Sequence, residues 1–74
     1  MVARKKDPGT VIASLRESAG LTQSKVAETV RNMKRSTLSE PHFRRIEKNL
    51  VTPSVIMAMD IATVLDSDVY EIWG

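Results

Sequence analysis

The apolar positions fall into five short stretches, each opened by a residue suited to cap a helix. Asp7-Pro8 opens the first, with Asp7 as N-cap and Pro8 at the first helical position, where its missing N–H costs nothing. Val11, Ile12, Leu15 and Ala19 follow at helical spacing, and Gly20 can end the helix in the left-handed conformation. Leu21-Thr22 restarts the chain. Thr22 caps a second helix from Gln23 to about Met33, Leu21 staples onto Val26, and Val26, Ala27, Val30 and Met33 continue the stripe. Periodicity then stops in the polar, basic stretch Arg31 to Thr37. Leu38-Ser39 repeats the grammar, with Ser39 as cap, Leu38 stapled to Phe43, and Pro41 tolerated in the first turn. The third helix runs from Glu40 to about Lys48, turns Phe43 and Ile46 inward, and hands over to a left-handed Asn49. Val51-Thr52-Pro53 is a further copy, in which Thr52 caps, Pro53 starts and Val51 meets Ile56. That helix reaches about Leu65, with Val55, Ala58, Met59, Ala62 and Leu65 on one face. Asp66-Ser67 caps a last short helix carrying Val69, Ile72 and Trp73. No segment alternates as a strand does, and there is no internal repeat.

The pattern predicts an all-α fold, a compact bundle of five short helices, because a connection of two or three residues between the first two forces a sharp turn. A chain of 74 residues with 42% hydrophobic positions holds one small domain. It is expected to span residues 8–74 behind a flexible basic arm, 1–7, and to leave no room for an effector or cleavage domain. Such a small domain is marginal unless its helices pack well or a partner covers part of it. Lack of cysteine excludes disulfides and cysteine-zinc sites and suits a reducing cytoplasm. The longest apolar stretch is cut by Asp60 and falls short of the ~20 residues of a membrane span. With one histidine, no cysteine and glycines scattered at 9, 20 and 74, nothing argues for an enzyme, a metal or a cofactor. The four methionines read as core filler.

Net charge is only +2, but its distribution is uneven. The third helix carries Glu40, His42, Arg44, Arg45 and Lys48 outside its apolar stripe, and the preceding connection adds Arg31, Lys34 and Arg35. Seven potentially cationic groups thus lie within 18 residues of an almost neutral chain. Such clustering is the footprint of a phosphate-binding face, although a solvated helix face shares it.

The residue order narrows the choice. IASLRESAGLTQSKVAETV, then HFRRIEKN, then TPSVIMAMDIATVLDSDVYEIW resemble the lambda-repressor-like, Cro-type (XRE) helix-turn-helix family over about residues 10 to 73. That resemblance implies that helices 2 and 3 form the helix-turn-helix and that the third enters the major groove of double-stranded DNA. It implies base reading by Ser39, Glu40, Pro41, His42, Arg44 and Arg45, and phosphate contacts by Thr22, Gln23, Lys48 and Asn49. Arg45 is the strongest base-contact candidate, since arginine grips guanine O6 and N7 bidentately; Arg44 could instead take a phosphate. Glu40 either accepts from a cytosine amino group or favours the helix N-terminus. Thr22 and Gln23 stand at a helix N-terminus, whose free N–H groups attract phosphate. Arg16 and Glu47 occupy positions that the family pairs as a partly buried ion pair tying the first helix to the third.

The chain departs from the family pattern between helices 2 and 3. About six extra residues stand there, and Arg31 falls where the usual glycine would be. Either the second helix runs longer or a basic loop bulges beside the reading helix, adding phosphate contacts through Arg31, Lys34 and Arg35 or changing the docking angle. Arg4, Lys5 and Lys6 of the arm are candidates for a further groove contact. The resemblance also implies a homodimer on a two-fold-related operator, with Ile56, Met57, Asp60, Val64 and Trp73 as candidate interface residues in the C-terminal part. The expected role is a cytoplasmic, nucleoid-associated regulator encoded by a bacterium, phage or plasmid, which represses by occluding RNA polymerase and needs no small-molecule effector. The rival readings are a DNA-binding antitoxin and a protein-interaction adaptor on the same fold.

Overall fold

The computed structural model describes residues 7–74; Arg4, Lys5 and Lys6 lie outside the described residues. Five helices follow in order: α1 (Pro8–Ser18), α2 (Gln23–Asn32), α3 (Glu40–Glu47), α4 (Val55–Val64) and α5 (Val69–Trp73), with no strand among the described residues. Helix α2 packs on α3 and α4, α1 on α3 and α5, and α4 on α5. Ile12, Val26, Val30, Leu38, Phe43 and Ile61 form the fully buried centre of the core.

Local chemistry explains most boundaries. Thr22 Oγ1 accepts from the Lys25 N–H at 3.0 Å, and Ser39 Oγ accepts from the His42 N–H at 3.2 Å. These bonds satisfy donors that a helix start leaves open. At the C-termini, α1, α2, α3 and α4 all give way to a left-handed residue: Gly20, Lys34, Asn49 and Asp66, at φ 73°, 62°, 62° and 56°. Three of these ends close with paired bonds. Leu21 N–H donates to Arg16 and Gly20 N–H to Glu17; Leu50 and Asn49 donate likewise to Arg45 and Ile46, and Ser67 and Asp66 to Ala62 and Thr63. At the end of α2 the Met33 N–H donates to the Val30 carbonyl and the Lys34 N–H to the Arg31 carbonyl, and the chain leaves into the long turn.

Several expectations are corrected. Helix α4 starts at Val55 rather than Pro53, because Ser54, not Thr52, offers its hydroxyl to a first-turn donor, the Met57 N–H. Val55 and Met59 point outward, while Ala58, Ile61, Ala62 and Leu65 are buried. The α4 face is misjudged from pattern because apolar residues surround the whole helix, so periodicity does not select a side. Helix α5 is capped by Asp68, whose Oδ1 accepts from the Glu71 N–H at 2.7 Å; Ser67 instead donates to the Glu71 carboxylate. Asp7 stands at the N-cap of α1, but its carboxylate accepts from no backbone N–H there, receiving Thr10 Oγ1 and Asn49 Nδ2 instead. Ala19, expected on the inner stripe, is exposed.

The extra residues between α2 and α3 do not lengthen α2. They form a loop over residues 33–39, in which Lys34 takes the left-handed conformation. Arg31 stays in the last turn of α2 and donates from Nη1 to the Leu38 carbonyl at 2.7 Å, drawing the two ends of the loop together.

Candidate nucleic-acid interface

Helix α3 is held from behind by a chain of polar contacts spanning three helices. Arg16 of α1 donates from Nε to Glu47 Oε2 at 2.7 Å and from Nη1 to the Leu21 carbonyl at 2.9 Å. Both side chains of this ion pair are largely buried, at 13% and 7% exposure. Gln23, the first residue of α2, donates from Nε2 to Glu47 Oε1 at 2.9 Å and accepts from Arg44 Nε at 3.4 Å. Arg44 then closes on Glu40 Oε2 at 2.9 Å, one turn earlier on α3. Glu47 is therefore satisfied from both α1 and α2, which locks the rotation of α3 about its own axis.

A second tie holds the chain just past the C-terminal end of α3, two residues beyond Glu47. Asn49 Oδ1 accepts from the Gly9 N–H at 2.9 Å, and Asn49 Nδ2 donates to Asp7. Gly9 is buried there, and a Cβ on it would run into the Glu47 carbonyl. The requirement for glycine arises from the close approach of α1 to α3, and nothing local in the sequence marks it. Asn49, expected to contact phosphate, has its side-chain amide engaged in this tie.

What remains outward is basic. Pro41, Arg44, Arg45 and Lys48 are exposed on α3, with Glu40 and His42 half-buried. The side chains of Arg45 and Lys48 make no hydrogen bond or ion pair with the described residues, whereas Arg44 is shared between Glu40 and Gln23. Ser39 lies at the N-terminal rim, its oxygen occupied as the cap. Phe43 and Ile46 anchor the opposite side in the core. The result is a rod with its base-reading candidates on one side and its fixings on the other, a shape that fits a major groove about 12 Å wide.

The family model described as Helix-turn-helix matches residues 12–72. The chain belongs to this family, the lambda-repressor- and Cro-like (XRE) helix-turn-helix proteins. No curated protein matches the sequence. As an XRE-type protein it is a DNA-binding transcription regulator. Its helix-turn-helix is formed by α2 and α3, and α3 carries the exposed Arg44, Arg45 and Lys48.

The other expected contact residues lie outside α3. Arg35 Nε lies 3.6 Å from Asp60 Oδ1, and Lys34 is exposed. Asp60, expected at a dimer interface, is buried, and its side chain is only 2% exposed. It faces inward because the lengthened turn supplies Arg35 as its partner, so it does not belong to an outer face. Met57, Val64 and Trp73 are partly covered by the protein's own core, leaving Ile56 as the exposed member of that set. No helix is long and apolar enough to cross a membrane among the described residues.

Proposed function

We propose that this regulator reads double-stranded DNA by inserting the outward face of α3 into the major groove, acting as a dimer that represses by occluding RNA polymerase. The observation that carries this reading is the division of α3. The Arg45 and Lys48 side chains have no partner among the described residues on its exposed side, while Glu47 on the other is fixed by Arg16 and Gln23. Arg45 grips guanine, Arg44 and Lys48 meet flanking phosphates, and the free N–H groups at the start of α2 take a further one. Glu40, paired with Arg44, sets that arginine's direction.

Dimerisation is supported by an apolar patch that the protein leaves uncovered. Val55, Ile56 and Met59 lie on one side of α4 at 74%, 44% and 43% exposure. Their i, i+1, i+4 spacing makes one contiguous strip, which a second copy would bury. Two copies present two α3 helices to half-sites about 34–36 Å apart, and a duplex so occupied is closed to polymerase.

Selection of bound duplexes from a random pool, repeated at two salt concentrations, tests the reading. Enrichment of a two-fold-related sequence whose preference survives the higher salt is the expected result. Equal retention of enriched and scrambled duplexes would end it.

A further inference from the structure

We propose that the lengthened α2–α3 turn is a second phosphate-binding site, distinct from the groove-facing side of α3, and that Asp60 is its positioning residue. This rests on the DNA-binding reading above and assigns the turn a backbone phosphodiester beside the half-site.

A cleft of about 440 Å³ opens in the turn, lined by Arg31, Lys34, Arg35, Ser36 and Thr37. The lining holds three cations, two hydroxyls and no carboxylate. Ser36 Oγ is buried and has no hydrogen-bond partner among the described residues. An unmade hydroxyl bond is costly in such a place, and an oxygen anion in the cleft would accept it. Lys34 is exposed there, and its ammonium pairs with no group among the described residues. Its left-handed backbone sets the course of the chain into the cleft.

Asp60 stands behind this lining. Its Oδ1 lies 3.6 Å from Arg35 Nε, and its buried Oδ2 has no hydrogen-bond partner among the described residues. A buried carboxylate matched to one half-exposed arginine contributes little net stability. Its specific effect is to fix where the Arg35 guanidinium sits. The turn runs directly into Ser39, the cap of α3, so the cleft lies just upstream of the helix that enters the groove. With duplex bound, the nearest phosphoryl oxygens are those of the flanking backbone. A free phosphorylated molecule shares the chemistry and is separated from the backbone by experiment.

Duplex affinity is measured across a salt series for the wild type, Lys34→Gln, Arg35→Gln, Asp60→Asn and Arg35→Gln/Asp60→Asn. The first two variants should each lower the log–log slope by about one, with preference for the enriched sequence unchanged. Removing a negative charge should by itself tighten binding to a polyanion. Position predicts the opposite: Asp60→Asn weakens binding, and adds nothing when combined with Arg35→Gln. Unchanged slopes with wild-type binding intact, or tighter binding by Asp60→Asn, overturn the proposal. Should Asp60→Asn fail to fold, Arg35→Lys keeps the charge while losing the Nε contact; weaker duplex binding is then expected, and wild-type binding overturns the positioning role. If the wild type retains no duplex, the DNA reading fails separately. Titration with inorganic pyrophosphate, followed by the amide resonances of residues 34–37, then decides: movement there assigns the site to a free phosphorylated ligand, and none removes the site.

Discussion

Helices α3 and α4 sit in the same small bundle, yet they divide their surfaces by different rules. On α3 the only large apolar residues are Phe43 and Ile46, both buried, and every other position is polar or proline. A helix so patterned has one stable rotation, and its solvent side follows from its buried side. On α4, apolar residues surround the axis, and the structure buries the carboxylate of Asp60 while leaving Val55 74% exposed. There the rotation is chosen by neighbours: α2 and α5 pack against it, and Arg35 reaches Asp60 from the turn. A nucleic-acid face is polar and contrasts with the core, so it is visible in a pattern. A protein-facing surface is apolar like the core and is not.

The sharpest way to break this contrast is at the anchor of α3. Phe43→Ala removes a fully buried ring and should cost about 3–5 kcal/mol, a large share of the roughly 5–15 kcal/mol that holds a domain folded. Urea or thermal unfolding followed by circular dichroism reads it. A loss below about 1 kcal/mol would mean that Phe43 does not set the rotation of α3.

Next comes the polar fixing. Arg16→Ala strands a carboxylate that is 7% exposed, leaving Gln23 Nε2 as its only side-chain donor. Breaking a buried pair costs about 3–5 kcal/mol, and the retained Gln23 bond places this variant toward the lower end. Stability and duplex affinity should fall together, because the Arg16–Glu47 pair is the buried ionic link between α1 and α3. Unchanged melting would show that the pair is dispensable to the fold.

The parts of this molecule that could be read from the chain are those with local causes. Thr22 and Ser39 cap because a hydroxyl precedes each apolar stripe, and Gly20 and Asn49 turn left because a helix must end there. Where two cap residues compete, as Thr52 with Ser54 or Ser67 with Asp68, the choice depends on the angle at which the chain enters the helix, which packing decides. The Arg16–Glu47 pair was legible only through family resemblance, since its partners are 31 residues apart. Gly9 against Glu47 and Arg35 against Asp60 carry no local signal at all, being products of how helices approach. Of the base-reading candidates, the structure adds one discrimination that charge does not make: Arg44 is tethered and Arg45 is free.

That discrimination gives a smaller and more selective effect. Arg45→Ala should leave melting unchanged, because the side chain makes no hydrogen bond or ion pair with the described residues, and should reduce preference for the enriched sequence by about 1–3 kcal/mol. A uniform drop on enriched and scrambled duplexes alike would make Arg45 a phosphate contact instead.

The smallest expected effect tests α4 most directly. Val55 belongs to the inner face by periodicity and to the outer face by structure. Val55→Ser should change the unfolding free energy of the isolated protomer by no more than about 0.5 kcal/mol, the ordinary range for an exposed position. Measurement at low protein concentration separates this from association, because a residue buried only in the dimer destabilises in proportion to the dimer present. A loss at high concentration that vanishes on dilution would show that a second copy covers the α4 strip. A loss that persists on dilution, comparable with that of Phe43→Ala, would place Val55 in the protomer core. The contrast between the two helices would then disappear, because both would obey the same periodicity.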